Sequence, residues 1–159
     1  MLHPMQLIRA EPSDLPFILA LEGRPEFHAL VGAWTREQHE AALADPDMRY
    51  LIIAGRAGFV ILRGLASAER SIEVKRVIVA EPGQGTGRRV LETVLRLAFG
   101  TLAARRVWLD VFEDNARARH LYRSLGFRED GMLPEVARRD GSRKALVLMS
   151  LHDRDFAAR

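Results

Sequence analysis

Residues 76–91 read R-V-I-V-A-E-P-G-Q-G-T-G-R-R-V-L: an apolar, β-branched run, three glycines at alternate positions, then the opening of a helix. Glycine loses more conformational freedom on folding than any other residue, so Gly83, Gly85 and Gly87 together must supply backbone shape or bare amides. A glycine-rich turn at a helix N-terminus exposes unpaired N–H groups and adds the favourable end of the helix dipole, an arrangement that holds an anion such as a pyrophosphate. The plainer alternative is a tight strand-to-helix turn that binds nothing. Two common phosphate motifs do not fit. A P-loop requires G-x-x-x-x-G-K-[ST], but Gly87 is followed by Arg88-Arg89. A G-x-G-x-x-G fingerprint would need glycine at position 88, where an arginine blocks the close helix–strand packing.

The flanking sequence organises around this loop. Upstream, Ile72–Val79 reads as a strand; downstream, Val90, Leu91, Val94, Leu95 and Ala98 form one helical face, with Gly100 as C-cap. Arg106–Phe112 is the next strand, and Ala118, Leu121, Tyr122 and Leu125 form another helical stripe ending at Gly126. Nearer the start, Met5–Ala10 is a short strand, Pro12-Ser13-Asp14 opens a helix that ends near Gly23, and Thr35 with Gln38 has capping-box spacing for a second helix running to about Ala44. Arg49–Ala54 and Gly58–Leu65 form a hairpin; Phe127–Asp130 and Ala145–Leu151 are the last strands, with a turn at Asp140-Gly141. The order predicts an α/β fold: a mixed sheet flanked by helices, with a central β-α-β unit whose two strands run parallel.

The totals restrict the function. At 159 residues the chain is expected to form a single domain, 1–159, with a real core. Its 24 basic and 21 acidic side chains nearly cancel, leaving a net charge of +3, too mild for a dedicated nucleic-acid binder. Apolar runs are broken by Arg or Gly before they could span a membrane, and no signal-peptide pattern opens the chain, so a cytoplasmic location is expected. Cysteine is absent, which removes disulfides, thiolate metal sites and cysteine nucleophiles. No Asp/Glu/His grouping has metal-ligand spacing: His28 and His39 are far apart, and His3, His120 and His152 are isolated.

Residues 76–91 resemble the acyl-CoA-binding motif of the GNAT superfamily of N-acetyltransferases, [QR]-x-x-G-x-[GA] after an apolar strand. Gly85 and Gly87 match the two small positions, and Val77 and Val79 the strand; Pro82 stands where the family has Gln or Arg, a contact Gln84 or Arg88 could replace. Residues 110–127, D-V-F-E-D-N-A-R-A-R-H-L-Y-R-S-L-G-F, are similar to the family's later motif, with Asn115, Ala118, Tyr122, Gly126 and Phe127 in register. The two motifs stand in the family's order. Ile8–Asp14 and the ending D-G-x-x-x-A-L-V-L-M-S-L also look like this superfamily, loosely its ribosomal-protein and small-amine branch.

The resemblance implies acetyl transfer from acetyl-CoA, as co-substrate and without a metal, to a primary amine: a protein N-terminus, a polyamine or another small amine. Acetyl-CoA would lie along Val77, Ile78 and Val79, with its pyrophosphate on the backbone of Gln84, Gly85, Thr86, Gly87 and Arg88. Asn115 would touch the cofactor arm, although an N-cap role explains it as well. Arg88, Arg89 and Arg119 would meet the 3′-phosphate or adenine, or simply form solvated helix faces. Tyr122 is the expected general acid, since a phenol near ~10 can protonate a thiolate of similar basicity; a core aromatic is the bland alternative. Glu73 is the expected general base, with Glu113 and Glu22 in reserve, although an exposed strand face would also explain it. Phe27 and Trp34 would line the acceptor cleft. A homodimer is compatible with such a fold. A non-catalytic acyl-CoA-binding regulator and a nucleotide-binding β-α-β domain are the competing classes.

Overall fold

The computed structural model describes residues 5–157. Seven strands form one sheet in the order β1-β2-β3-β4-β5-β7-β6. They are β1 (Leu7–Arg9), β2 (Met48–Ile53), β3 (Gly58–Arg63), β4 (Ser71–Val79), β5 (Arg106–Phe112), β6 (Arg128–Ala137) and β7 (Arg143–His152). The helices are α1 (Leu15–Glu22), α2 (Arg36–Ala44), α3 (Thr86–Phe99), α4 (Ala116–Ser124) and α5 (Asp153–Ala157). Every neighbouring pair is antiparallel except β4–β5, which is parallel, as a crossover through α3 requires. The expected mixed sheet flanked by helices is the architecture observed.

Local chemistry explains the helices. The capping box of α2 is formed: Thr35 Oγ1 accepts the Gln38 N–H at 3.2 Å, and Gln38 Oε1 accepts the Thr35 N–H at 2.8 Å. All five residues of the α3 apolar stripe are buried, and the helix closes at Gly100. They pack on one face of the sheet, against residues such as Leu51, Leu62, Val107 and Met149. The opposite face carries a second core, in which Ile18 and Leu21 of α1 and Ala42 of α2 meet Tyr50, Phe59 and Ile78.

Two elements depart from the sequence reading. β6 continues to Ala137 rather than stopping at Asp130. Gly131 and Pro134 break its alternation, and register shifts at Glu129/Gly131 and Leu133/Val136 absorb them. The short α5 carries no periodic signal of its own and is held by Phe156 stacking on Phe99, with ring centroids 4.9 Å apart. Among the described residues, no helix is long and apolar enough to cross a membrane.

Candidate active site

The site begins where the sheet opens. β4 and β5 pair only through Ser71–Glu73 and Arg106–Trp108; beyond that point they share no registered pair. From Val74 onward β4 pairs with β3 alone, and from Leu109 onward β5 pairs with β7 alone. At the parting, Ile61 pairs with Arg76 but Leu62 pairs with Val74, so Lys75 is an extra, bulged residue. A bulge bends its strand and increases twist, which turns β4 away from β5. It also changes the parity of the strand. Ile72 and Val74 face the α3/α4 core, and after the bulge Val77 and Val79 do so, while Ile78 joins the α1/α2 core. The partial alternation of the sequence is thus a regular strand with one residue inserted. Between the parted strands lies a cleft of about 670 Å³, walled by β4 and β5 and running from the glycine loop to the α1–α2 connection.

Gly83, Gly85, Gly87 and Arg88 line one end. Gly83 (φ 95°) and Gly85 (φ 75°, the N-cap of α3) adopt the left-handed backbone that glycine favours. Gly87 does not: a β-carbon there would meet only Leu121 Cδ2, at 3.9 Å, so its bareness keeps the cleft wall low. The backbone bond from Arg89 N–H to the Gly85 carbonyl closes the first turn of α3, leaving the N–H groups of Thr86, Gly87 and Arg88 ahead of it. Two guanidinium groups flank this end. Arg88 donates to Ser124 Oγ at 2.6 Å and lies 3.3 Å from the Glu92 carboxylate. Arg117, which the sequence reading did not single out, reaches within 3.5 Å of where a Gly83 β-carbon would stand. The side chains of Gln84 and Thr86 do not border the cleft.

Val77, Ile78 and Val79 form the β4 wall, and Asn115 and Tyr122 approach from α4. Asn115 is also the N-cap, its Oδ1 accepting the Ala118 N–H at 3.2 Å, which leaves its amide NH₂ for the cleft. Tyr122 is half-buried, its ring tilted on Phe127. Desolvation, and secondarily the Asp110 carboxylate, push its phenol up to about 12. Asp110 borders the same cleft from β5, and among the described residues its carboxylate has no hydrogen-bond or ion-pair partner. Sequence reading missed it because nothing in V-W-L-D-V-F tells that one edge of this strand is open.

Three expected residues are held elsewhere. Glu73 does not border the cleft: it is buried on the still-paired part of β4, its carboxylate bonded to Arg63 Nε at 2.8 Å. Arg119 donates to Glu129 Oε1 and to the Glu113 carbonyl, and it too is away from the cleft. Glu22 is 2% exposed and sits in a polar network under the α1–α2 side. One of its oxygens meets Arg76 Nη1 at 2.6 Å; the other meets His39 Nε2 at 2.9 Å and the Trp34 N–H at 3.1 Å. Desolvation would raise this carboxyl, but the His39 hydrogen bond, the Arg76 charge and the Trp34 amide outweigh it and hold the group below its ordinary value. His39 Nδ1 in turn lies 2.7 Å from the Tyr50 hydroxyl.

The far end of the cleft has an apolar wall, formed by Phe27, Leu30 and Val31 of the α1–α2 connection and by Val136, Ala137 and Leu146 of the last hairpin, with Lys75 and Arg76 of β4 also in its lining. Trp34 stands behind it, its ring 5.1 Å from the Arg76 guanidinium. Two arginines staple these walls together. Arg138 binds the Asp114 carboxylate and the Ala29 carbonyl, and Arg139 donates to the carbonyls of Glu22, Val31 and Gly32 at 2.9–3.0 Å. Among the described residues, which do not include His3, no group of three His, Asp or Glu side chains could hold a metal ion.

An open parallel seam with a glycine-rich helix start at one end fits a phosphate-bearing, strand-like ligand, and comparison with known proteins agrees. The model of the Acetyltransferase (GNAT) family matches residues 10–127. The N-alpha-acetyltransferase RimI of Mycobacterium tuberculosis is 31% identical over 115 residues, covering 69% of this chain and 70% of that protein. The spermidine N(1)-acetyltransferase of Escherichia coli is 24% identical over 170 residues, covering 98% and 90%. Among solved structures, spermidine N-acetyltransferase from Vibrio cholerae in complex with CoA and spermine superposes with a TM-score of 0.84 at 24% identity, covering 97% of this chain and 98% of that one. Sequence, seam and family model converge: the chain belongs to the GNAT acetyltransferase family and is an acetyl-CoA-dependent N-acetyltransferase.

Proposed function

We propose that residues 1–159 act as one catalytic domain that transfers the acetyl group of acetyl-CoA to a primary amine by direct attack, with both substrates bound at once. The observation that carries this reading is the parted β4–β5 seam, bordered by the glycine loop at one end and by Tyr122 and Asp110 along its length. The pyrophosphate rests on the N–H groups that begin α3, where Arg88 and Arg117 add positive charge and Pro82 contributes none. The pantetheine arm runs along the free edge of Val77–Val79 beside Asn115. Arg119, committed to Glu129, has no part in this assignment.

Starting from the ammonium, the nitrogen must lose two protons and the departing sulfur must gain one. We assign the first to Asp110, in place of Glu73: it accepts a proton from the ammonium, directly or through water, and frees the lone pair that attacks the thioester carbonyl. A C–N bond forms and the C–S bond breaks. Tyr122 donates its phenolic proton to the departing sulfur, and the resulting phenolate takes back, through water, the second proton that the new C–N nitrogen sheds, leaving a neutral amide and free CoA thiol. A phenol pushed up to about 12 is still protonated at neutral pH and so remains an acid.

The relatives' names indicate two kinds of acceptor, spermidine and the α-amino group of a protein. A cytoplasmic location belongs to the same reading, because the donor is an intracellular thioester. So does a homodimer: β6 is an edge strand, exposed almost throughout, with Met132 and Leu133 left uncovered. The deciding experiment is thiol release from acetyl-CoA with a panel of amines. Amine-dependent release together with thermal stabilisation by CoA is the expected outcome. Stabilisation by CoA with no release from any amine would identify an acyl-CoA-binding regulator instead, and stabilisation by NAD or ATP alone would remove the CoA assignment.

A further inference from the structure

The acceptor end of the cleft has an unusual charge inventory. Lys75 and Arg76 line it, Arg139 lies behind it on the carbonyls of Glu22, Val31 and Gly32, and the buried carboxylate among them is Glu22. Glu22 is fully engaged, with one oxygen on Arg76 and the other shared by His39 and the Trp34 amide. The side-chain bonds of Arg139 all go to carbonyl oxygens, which carry no charge to offset its own. Lys75, the bulged residue of β4, rests over the Trp34 ring at 5.9 Å and has no ion-pair partner among the described residues. Desolvation and the Arg76 charge both pull the Arg139 guanidinium below its ordinary value, against the opposing pull of Glu22. Facing these cations, the cleft presents one carboxylate among the described residues, Asp110.

This pattern suits only some amines. A polyamine brings two or more ammonium groups, and after the reacting nitrogen has met Asp110 the others find cations or the apolar wall of Phe27, Leu30 and Val136. Charge complementarity then runs the other way. Resting on the acetyltransferase reading above, we propose that the acceptor is a monoamine with an apolar body and an anionic group, a carboxylate or a phosphate, which docks against Lys75 and the Arg76 edge. Asp110 takes the single ammonium, the hydrophobic wall takes the body, and polyamines are selected against. An ammonium group left facing a cation without a carboxylate to meet it changes kcat/KM by on the order of tenfold.

The test compares three acceptors in a thiol-release assay, each corrected for its free-amine fraction: leucine, leucinamide and spermidine. Leucine should exceed leucinamide by about tenfold in kcat/KM, and should exceed spermidine by at least as much. Lys75→Glu should erase the leucine advantage through KM for the acceptor, with KM for acetyl-CoA unchanged; Lys75→Gln serves as a milder variant should the charge reversal fail to fold. Robust turnover that favours spermidine, or a leucine-to-leucinamide ratio unaltered in both variants, overturns the proposal and leaves the acetyltransferase reading intact. Release with none of these three but with another amine, such as a peptide N-terminus, overturns this inference alone; release with no amine at all, beside retained CoA binding, removes the acetyltransferase reading and this inference with it.

Discussion

Tyr122 and Asp110 show how differently two residues of one site announce themselves. Tyr122 lies on an apolar helical stripe, so periodicity alone makes it a core aromatic; only its register in N-x-x-A-x-x-L-Y-x-x-x-G-F distinguishes it. Asp110 is on a strand whose alternation looks ordinary, and its lack of partners becomes visible only once the neighbouring edge is seen to be open. Glu73 is the converse case: as a carboxylate beside the glycine loop in sequence it invites a catalytic role, yet Arg63 on the adjacent strand occupies it. Tyr122→Phe should lower kcat by about 10²-fold with little change in KM for acetyl-CoA or in stabilisation by CoA, measured in steady state and by thermal shift. Because burial raises the phenol to about 12, its loss of a proton lies far above neutrality. The wild-type rate should therefore rise with pH as the amine deprotonates, and should not decline below about pH 10. An alkaline decline with a midpoint near pH 8 to 9, roughly, would assign the acid to some other group.

At the level of the element, the glycine loop separates two demands that sequence merges. All three glycines look equivalent, but Gly83 and Gly85 are required by their positive φ and Gly87 by the space in front of it. Gly85→Ala should cost about 1–2 kcal/mol of stability, because a β-carbon is strained in the left-handed region even though nothing crowds it. Gly87→Ala should do the opposite to the fold, stabilising α3 by up to about 1 kcal/mol through helix propensity. Its methyl would nonetheless enter the cleft, so KM for acetyl-CoA should rise in a protein that melts higher. Thermal unfolding and acetyl-CoA kinetics on the pair resolve both effects. The bulge at Lys75 belongs to the same scale: the insertion returns Val77 and Val79 to the face that Ile72 and Val74 left, and it marks the place where the sheet opens.

Across the whole molecule, the acceptor end is assembled from parts that are remote in sequence. Arg139 in the last hairpin bonds to carbonyls of Glu22, Val31 and Gly32, more than a hundred positions earlier. Arg139→Ala should release the α1–α2 connection, raising KM for the acceptor several-fold and leaving KM for acetyl-CoA in place, while Tm falls. Glu22→Gln attacks the network beneath, leaving the buried Arg76 charge without its counter-ion at a cost of about 3 kcal/mol. Because the folded-state value of Glu22 is depressed from 4.5, its contribution is fully present above that pH and lost as pH falls through the lower, folded value. Denaturant unfolding from pH 6 down to about pH 3 should thus show a steeper acid loss in the wild type than in the variant.

The sequence by itself determined the elements and their order, the central parallel unit, the glycine-rich start of α3 and the family, because periodicity, capping and glycine placement are local properties. One wall of the cleft was legible for the same reason: Gly85, Gly87, Asn115 and Tyr122, which all border it, lie in two contiguous motifs. Only the tertiary structure decided which carboxylate borders the open seam, which arginines are already engaged, and which cations line the end of the cleft far from the glycine loop. Those answers depend on where two strands stop pairing and on what comes to lie across the gap, and no local stretch of sequence carries either.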